Sequence, residues 1–193
     1  FAATLLQSRD PKVLGYAFLG RLLGYDATHA FAEKALGTFE RPELPQSFLI
    51  DMLYGQSEQS EWAEKYLKTK YQPSELGVDF WKRVLDDKRH EDADEVVELA
   101  LEALGKFPVA EIGADWLVDA LQRGELNDAV SEWLTRATAL PGLDVERLKG
   151  LMLHAKYRRY ALPVIENSKL VRPRDLGLPW LLALARRADE TLH

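Results

Sequence analysis

Cysteine is absent from this 193-residue chain, which removes disulfides, thiolate nucleophiles and zinc–thiolate centres together. That absence suits a reducing compartment, cytoplasm or mitochondrial matrix. Long apolar runs are also missing. The longest nearly uncharged stretch, Leu176 to Ala185, has ten residues, whereas a membrane-spanning helix needs about 20. The chain therefore reads as soluble, without a membrane span. No charged segment precedes an apolar one at the start, and the first residue is Phe1 rather than Met. This reads as a fragment or processed chain whose targeting information has been removed. A surplus of positive charge is lacking too: the formal net charge is −6, so no overall field gathers nucleic acid or anionic lipid. The total hides an asymmetry, −10 over residues 1–140 and +4 over residues 141–193. Nor does strand-like alternation persist for more than a few residues.

What the chain has instead is an echo. Residues 31–36 read FAEKAL and residues 62–67 read WAEKYL. Similar apolar blocks occupy 96–101 (VVELAL), 129–134 (AVSEWL) and 161–166 (ALPVIE). Each is preceded by another block with large apolar residues at helical spacing: FLGRLL (18–23), FLIDML (48–53), FWKRVL (80–85), WLVDAL (116–121) and LKGLML (148–153). Such spacing makes one buried stripe per helix. Glycine and polar residues separate the paired blocks, and Pro42, Pro73, Pro108, Pro141 and Pro173 follow the second ones. Proline cannot continue a helix, so it punctuates each boundary. A hairpin this small cannot bury both faces, and stacked neighbours complete the core.

These patterns predict an all-α fold, an α-solenoid of about five antiparallel helical hairpins with a C-terminal capping helix. The chain reads as a single helical-repeat domain, 1–193, with units near 11–42, 43–73, 74–108, 109–141 and 142–173 and a cap at 174–193. Gly15 and Gly20 bracket four residues as in a phosphate-binding loop, but Arg21-Leu22 replaces the Lys-Ser/Thr pair and no strand precedes them. Gly15, Gly20 and Gly24 are therefore expected to serve close helix approach.

Unit length and wording resemble the tetratricopeptide and pentatricopeptide repeats. Leu14-Gly15, Phe18, Ala27 and Phe31 fall at the spacing of the tetratricopeptide Leu-Gly, Tyr, Ala and Phe positions. LIDML followed by WAEKYL and Gln72-Pro73, and LVDAL followed by AVSEWL, look more like the pentatricopeptide type; HEAT-like helical pairs are the remaining architecture. The resemblance covers roughly residues 11–173. Its pentatricopeptide form implies single-stranded RNA binding through small polar side chains near the start of each first helix. Phe48, Phe80, Trp116 and Leu148 stand there, with Asp79 and Asp115 beside two of them, so the base-reading pattern is missing.

Candidate sites are sought where the units differ. Phe80 and Trp81 are adjacent and point about 100° apart on a helix, so one of them is expected to leave the core and anchor a partner. Tyr54 beside Gly55 is a second anchor of this kind. The best nucleic-acid hypothesis is a basic patch of Arg147, Lys149, Lys156, Arg158, Arg159, Lys169, Arg172 and Arg174, interleaved with Tyr157 and Tyr160. The acidic stretch 86–95 puts His90 and Asp94 one helical turn apart, but nothing completes a metal-ligand set. No nucleophile elbow is present, and paired carboxylates such as Glu61/Glu64 sit at the spacings of exposed helix faces. The sequence thus points to a non-enzymatic scaffold or adaptor without cofactor or metal, binding another protein or complex. A pentatricopeptide-like RNA-binding protein of an organelle, using the basic patch, and an enzyme domain with an unrecognised site are the alternatives.

Overall fold

A computed structural model describes residues 8–89, 93–182 and 184. All regular structure among them is helical, with no strand. The chain divides into two compact units, Phe1–Ala103 and Leu104–His193. Unit 1 holds α1 (Pro11–Leu14), α2 (Tyr16–Leu23), α3 (Asp26–Leu36), a 3₁₀ turn at Arg41–Glu43, α4 (Gln46–Leu53), α5 (Ser57–Lys70), α6 (Pro73–Leu76), α7 (Val78–Asp86) and α8 (Asp94–Leu104), whose last residue crosses the boundary. Unit 2 holds α9 (Val109–Ile112), α10 (Ala114–Ala120), α11 (Asn127–Arg136), α12 (Val145–Leu153), α13 (Ala155–Asn167) and α14 (Pro173–Leu176). Residues 178–182 are also helical. The rest of the expected cap, residue 183 and residues 185–193, lies outside the described residues.

Each apolar block of the sequence lies in a helix of four turns or fewer that buries one stripe. Leu19 and Leu23 of α2 meet Ala32, Ala35 and Leu36 of α3 in the first core layer; Phe48, Leu49 and Leu53 of α4 and Trp62, Ala63 and Leu67 of α5 form the next. The end of α2 is closed by α3: the Thr28 hydroxyl donates to the Leu22 carbonyl at 2.8 Å, and the His29 ring bonds the Leu23 carbonyl at 2.9 Å. These satisfy carbonyls that a helix end otherwise leaves orphaned.

The prolines open helices as well as closing them. Pro11, Pro73 and Pro173 occupy the first position of the four-residue helices α1, α6 and α14, and Pro108 caps α9. That first position needs no N–H, and proline's fixed φ is already helical. Each short helix ends on a glycine with positive φ, at 78°, 79°, 90° and 75° for Gly15, Gly77, Gly113 and Gly177. With ψ near 140–160° this is a region only glycine enters freely; it turns the chain sharply into the next long helix.

A separate glycine serves close contact. A Cβ on Gly20 would lie 2.8 Å from Phe48 Cε2 and 3.0 Å from Met52 Sδ, so α2 and α4 touch more closely than a side chain at residue 20 permits without displacing those groups. The expectation for Gly20 is met, whereas Gly15 acts through its backbone angle.

In α13, Pro163 removes the N–H that would serve the Arg159 carbonyl. The Ser131 hydroxyl of α11, itself buried, donates to the adjacent Tyr160 carbonyl at 2.7 Å.

The two glycine roles separate experimentally. Gly20→Ala should destabilise the protein by about 1–3 kcal/mol through overpacking, with part of the loss recovered by adding Phe48→Leu. Gly77→Ala has free space for its methyl and should cost about 1–2 kcal/mol through backbone strain alone, with no rescue from a smaller neighbour. Denaturant midpoints of the variants distinguish the two.

Candidate functional site

Phe80 and Trp81 are both core residues, 1% and 3% exposed. This corrects the expectation that one of them faces outward. Their rings meet edge to face at 4.9 Å. The 100° between them is absorbed because α6 packs beside α7; the Trp81 indole N–H donates to the Pro73 carbonyl at 3.2 Å. The short helix that roofs Trp81 is the element the sequence reading treated as a boundary.

Tyr54 is half-buried and likewise committed. Its hydroxyl donates to the Val84 carbonyl at 2.6 Å, tying the end of α4 to α7. The Arg89 guanidinium lies 4.9 Å from the Tyr54 ring centroid. Arg89 in turn pairs with Asp87 at 2.7 Å and Asp51 at 3.1 Å, which hold its pKa above the ordinary guanidinium value, Asp87 chiefly. Burial, with help from the Asp87 charge, pushes the Tyr54 phenol up to about 12. Tyr54, Ser60, Arg89 and Asp94 border a cleft of about 450 Å³ in unit 1. His90, Glu91 and Asp92 of the acidic stretch lie outside the described residues.

Half of the basic patch meets carboxylates within unit 2. Arg147 of α12 reaches Asp115 at 3.3 Å and also bonds Asp119, both of α10. Lys149 pairs with Glu146 at 2.7 Å, and its ammonium lies 5.8 Å from the Trp180 ring centroid. Arg158 donates to the Met152 carbonyl at 3.1 Å. Asp175 takes Arg172 at 3.1 Å and Arg174 at 3.8 Å; with the Arg172 N–H as the main cause, its carboxyl is held below the usual range. Arg159 packs on Tyr160 at 4.4 Å and borders a polar groove of about 460 Å³ with Glu132 and Arg136. Lys156 and Lys169 are exposed. Of the positions that would read bases, Phe48, Phe80 and Leu148 are buried, and Trp116 is half-buried under Arg123.

Sequence reasoning missed two features. One is an aromatic chain in unit 1: Tyr16 meets Phe48 at 4.9 Å, Phe48 meets Trp62 at 6.2 Å, and Trp62 stacks on Tyr66 at 5.0 Å. The other is a groove of about 470 Å³ bordered by Arg9, Pro11, Ala30, Phe31, Lys34 and Thr38. The signal for it was present in the echo, because Phe31 is the counterpart of Trp62 and yet is only half-buried. Among the described residues no helix is long and apolar enough to cross a membrane, and no cluster of three or more His, Asp or Glu is placed to hold a metal ion.

Against known proteins, the chain matches no family model, no curated protein and no solved structure.

The Tyr54 contact has a pH signature. Tyr54→Phe removes the donor to Val84 and should cost about 1 kcal/mol at neutral pH. Because the folded-state pKa is raised from 10.0 to about 12, the native phenol contributes fully below pH 10 and loses its contribution as pH rises toward 12. Denaturant titrations across that range should show the stability gap between wild type and Tyr54→Phe closing. A gap that stays constant through pH 12 counts against the contact.

Proposed function

We propose that this chain is a non-catalytic helical-hairpin scaffold that holds another protein in a larger complex. Within each unit, hairpins of the tetratricopeptide/pentatricopeptide-like kind stack in solenoid fashion. The wording of the five apolar block pairs supports this reading, as does the recurring Pro-x-x-Leu-Gly turn at 11–15, 73–77 and 173–177. Stacked helical pairs suit partner binding because they present long, shaped surfaces.

The observation that carries the protein-binding reading is where apolar surface stays open. Val13 of α1 is 79% exposed, and Leu178 and Leu182 near the last described turn are 67% and 51% exposed. A cluster of exposed apolar side chains, such as Leu178, Leu181 and Leu182, marks an association surface in a way that a single residue such as Val13 does not. Phosphate contacts, in contrast, require free cations, and four of the eight cations of the basic patch, Arg147, Lys149, Arg172 and Arg174, already pair with carboxylates.

Affinity purification of the protein from its source, with and without nuclease, tests the reading. A protein partner recovered at fixed stoichiometry after nuclease treatment is the expected result. Recovery of RNA instead, lost on replacing Lys156, Arg159 and Lys169 with alanine, would overturn it in favour of the RNA-binding alternative.

A further inference from the structure

The echo FAEKAL/WAEKYL aligns α3 with α5 residue by residue: Phe31 with Trp62, Glu33 with Glu64, Lys34 with Lys65, Leu36 with Leu67. Unit 1 displays what the α5 face accepts. The Lys65 ammonium pairs with the Glu33 carboxylate of α3 at 2.8 Å. Gln59, earlier on α5, donates to the Gly20 carbonyl of α2 at 2.8 Å. Trp62 is covered to 6% exposure. The α5 face is thus closed by the preceding helical pair, with an apolar ring buried and a lysine held by an acid.

On α3 the corresponding face is open. Ala30 and Lys34 are exposed and Phe31 is half-buried. Lys34 has no carboxylate partner among the described residues, and residues 1–7 (FAATLLQ) contain no Asp or Glu. Arg9 and Pro11 also border this groove of about 470 Å³, and Val13, in the same short helix as Pro11, is exposed. The groove is therefore lined by the apolar side chains of Pro11, Ala30 and Phe31 and by two cations, Arg9 and Lys34, in a chain of net charge −6.

We infer that this groove receives an acidic amphipathic helix from a partner protein, whose carboxylate meets Lys34 as Glu33 meets Lys65. A large apolar side chain of the incoming helix enters over Phe31 and Ala30. A carboxylate near it takes Lys34, as Glu33 takes Lys65, and a second acid meets Arg9. Helix-in-groove recognition of this kind is read by anchors one turn apart, and the two cations set orientation and exclude basic helices. The inference rests on the scaffold reading above and names the class of partner for one of its surfaces.

The test uses a lactam-bridged helical peptide copying residues 24–38, which presents Glu33, the acid that takes Lys65 within unit 1. Fluorescence anisotropy should show saturable binding to the wild-type chain. Binding should fall about tenfold or more for Lys34→Glu, whose exposed position leaves the helical circular dichroism and thermal midpoint unchanged. A peptide in which the residue copied from Glu33 is Lys should bind Lys34→Glu better than wild type. Equal binding of the original peptide to wild type and Lys34→Glu overturns the inference. So does a wild-type chain whose sedimentation reveals self-association abolished by Lys34→Glu, because the occupant is then a second copy. Loss of the groove contact and failure of the scaffold reading are told apart by repeating the purification from source with Lys34→Glu. A partner that stays bound leaves the scaffold and removes the groove, whereas a wild-type chain that recovers no protein partner removes both.

Discussion

The Phe48 ring lies where a side chain on residue 20 would have to go, and much of unit 1 is arranged around that contact. Bringing α2 against α4 at this distance lets Phe48 touch Tyr16 on one side and Trp62 on the other. The aromatic chain then runs through Tyr66 to Tyr71, and Arg41 stacks over the Tyr71 ring at 4.9 Å. Aromatic pairs at these distances add about 0.5–1.5 kcal/mol beyond the area they bury. Small residue and large ring therefore act as one fitting. Without it α5 could not reach back to Gly20 through Gln59.

Polar contacts lace successive turns in a consistent direction. Glu43 accepts the Glu40 N–H at 2.7 Å and takes Lys12 from the turn before it at 2.6 Å. Glu75 accepts the Gln72 N–H at 2.6 Å and takes Arg41 from the turn before it at 2.6 Å. Both carboxyls are held below their ordinary values, Glu43 mainly by Lys12 and Glu75 mainly by the Gln72 N–H. All of these groups face solvent, where ion pairs contribute little stability. Their effect is on register: each acid fixes its own turn and at the same time the position of the turn before. At the matching place in α1 stands Val13, which caps nothing and is exposed.

Helix positions were legible in the sequence because a 3.6-residue apolar stripe is a local property. FLIDML and WAEKYL determine α4 and α5 without reference to anything distant. Two kinds of feature were not local. The turns Pro11–Leu14 and Pro73–Leu76 look like helix stops when proline is read only as a breaker; their helical character depends on the glycine that follows and its positive φ. The fate of a charged or aromatic side chain depends on what lies tens of residues away. Arg147 looks like a phosphate ligand until Asp115 and Asp119 arrive from α10. Phe80 and Trp81 look like a surface anchor until α6 folds over them. Spacing along one helix cannot report what covers its other side.

The same limit applies to the echo itself. Two helices with nearly identical wording should bury the same positions if their neighbours are alike. Trp62 and Phe31 do not, and the difference lies outside the helices that carry them. Glu33 gives the comparison a direction, since it is spent on Lys65 and leaves Lys34 without an acid of its own. Arg9 and Lys34 border the same groove as Pro11, Ala30 and Phe31 in a chain whose net charge is −6. Two cations bordering one cleft raise the local concentration of carboxylates there. The open end of the echo thus differs from the closed one in two linked respects: Phe31 is less covered than Trp62, and Lys34 has no carboxylate partner among the described residues.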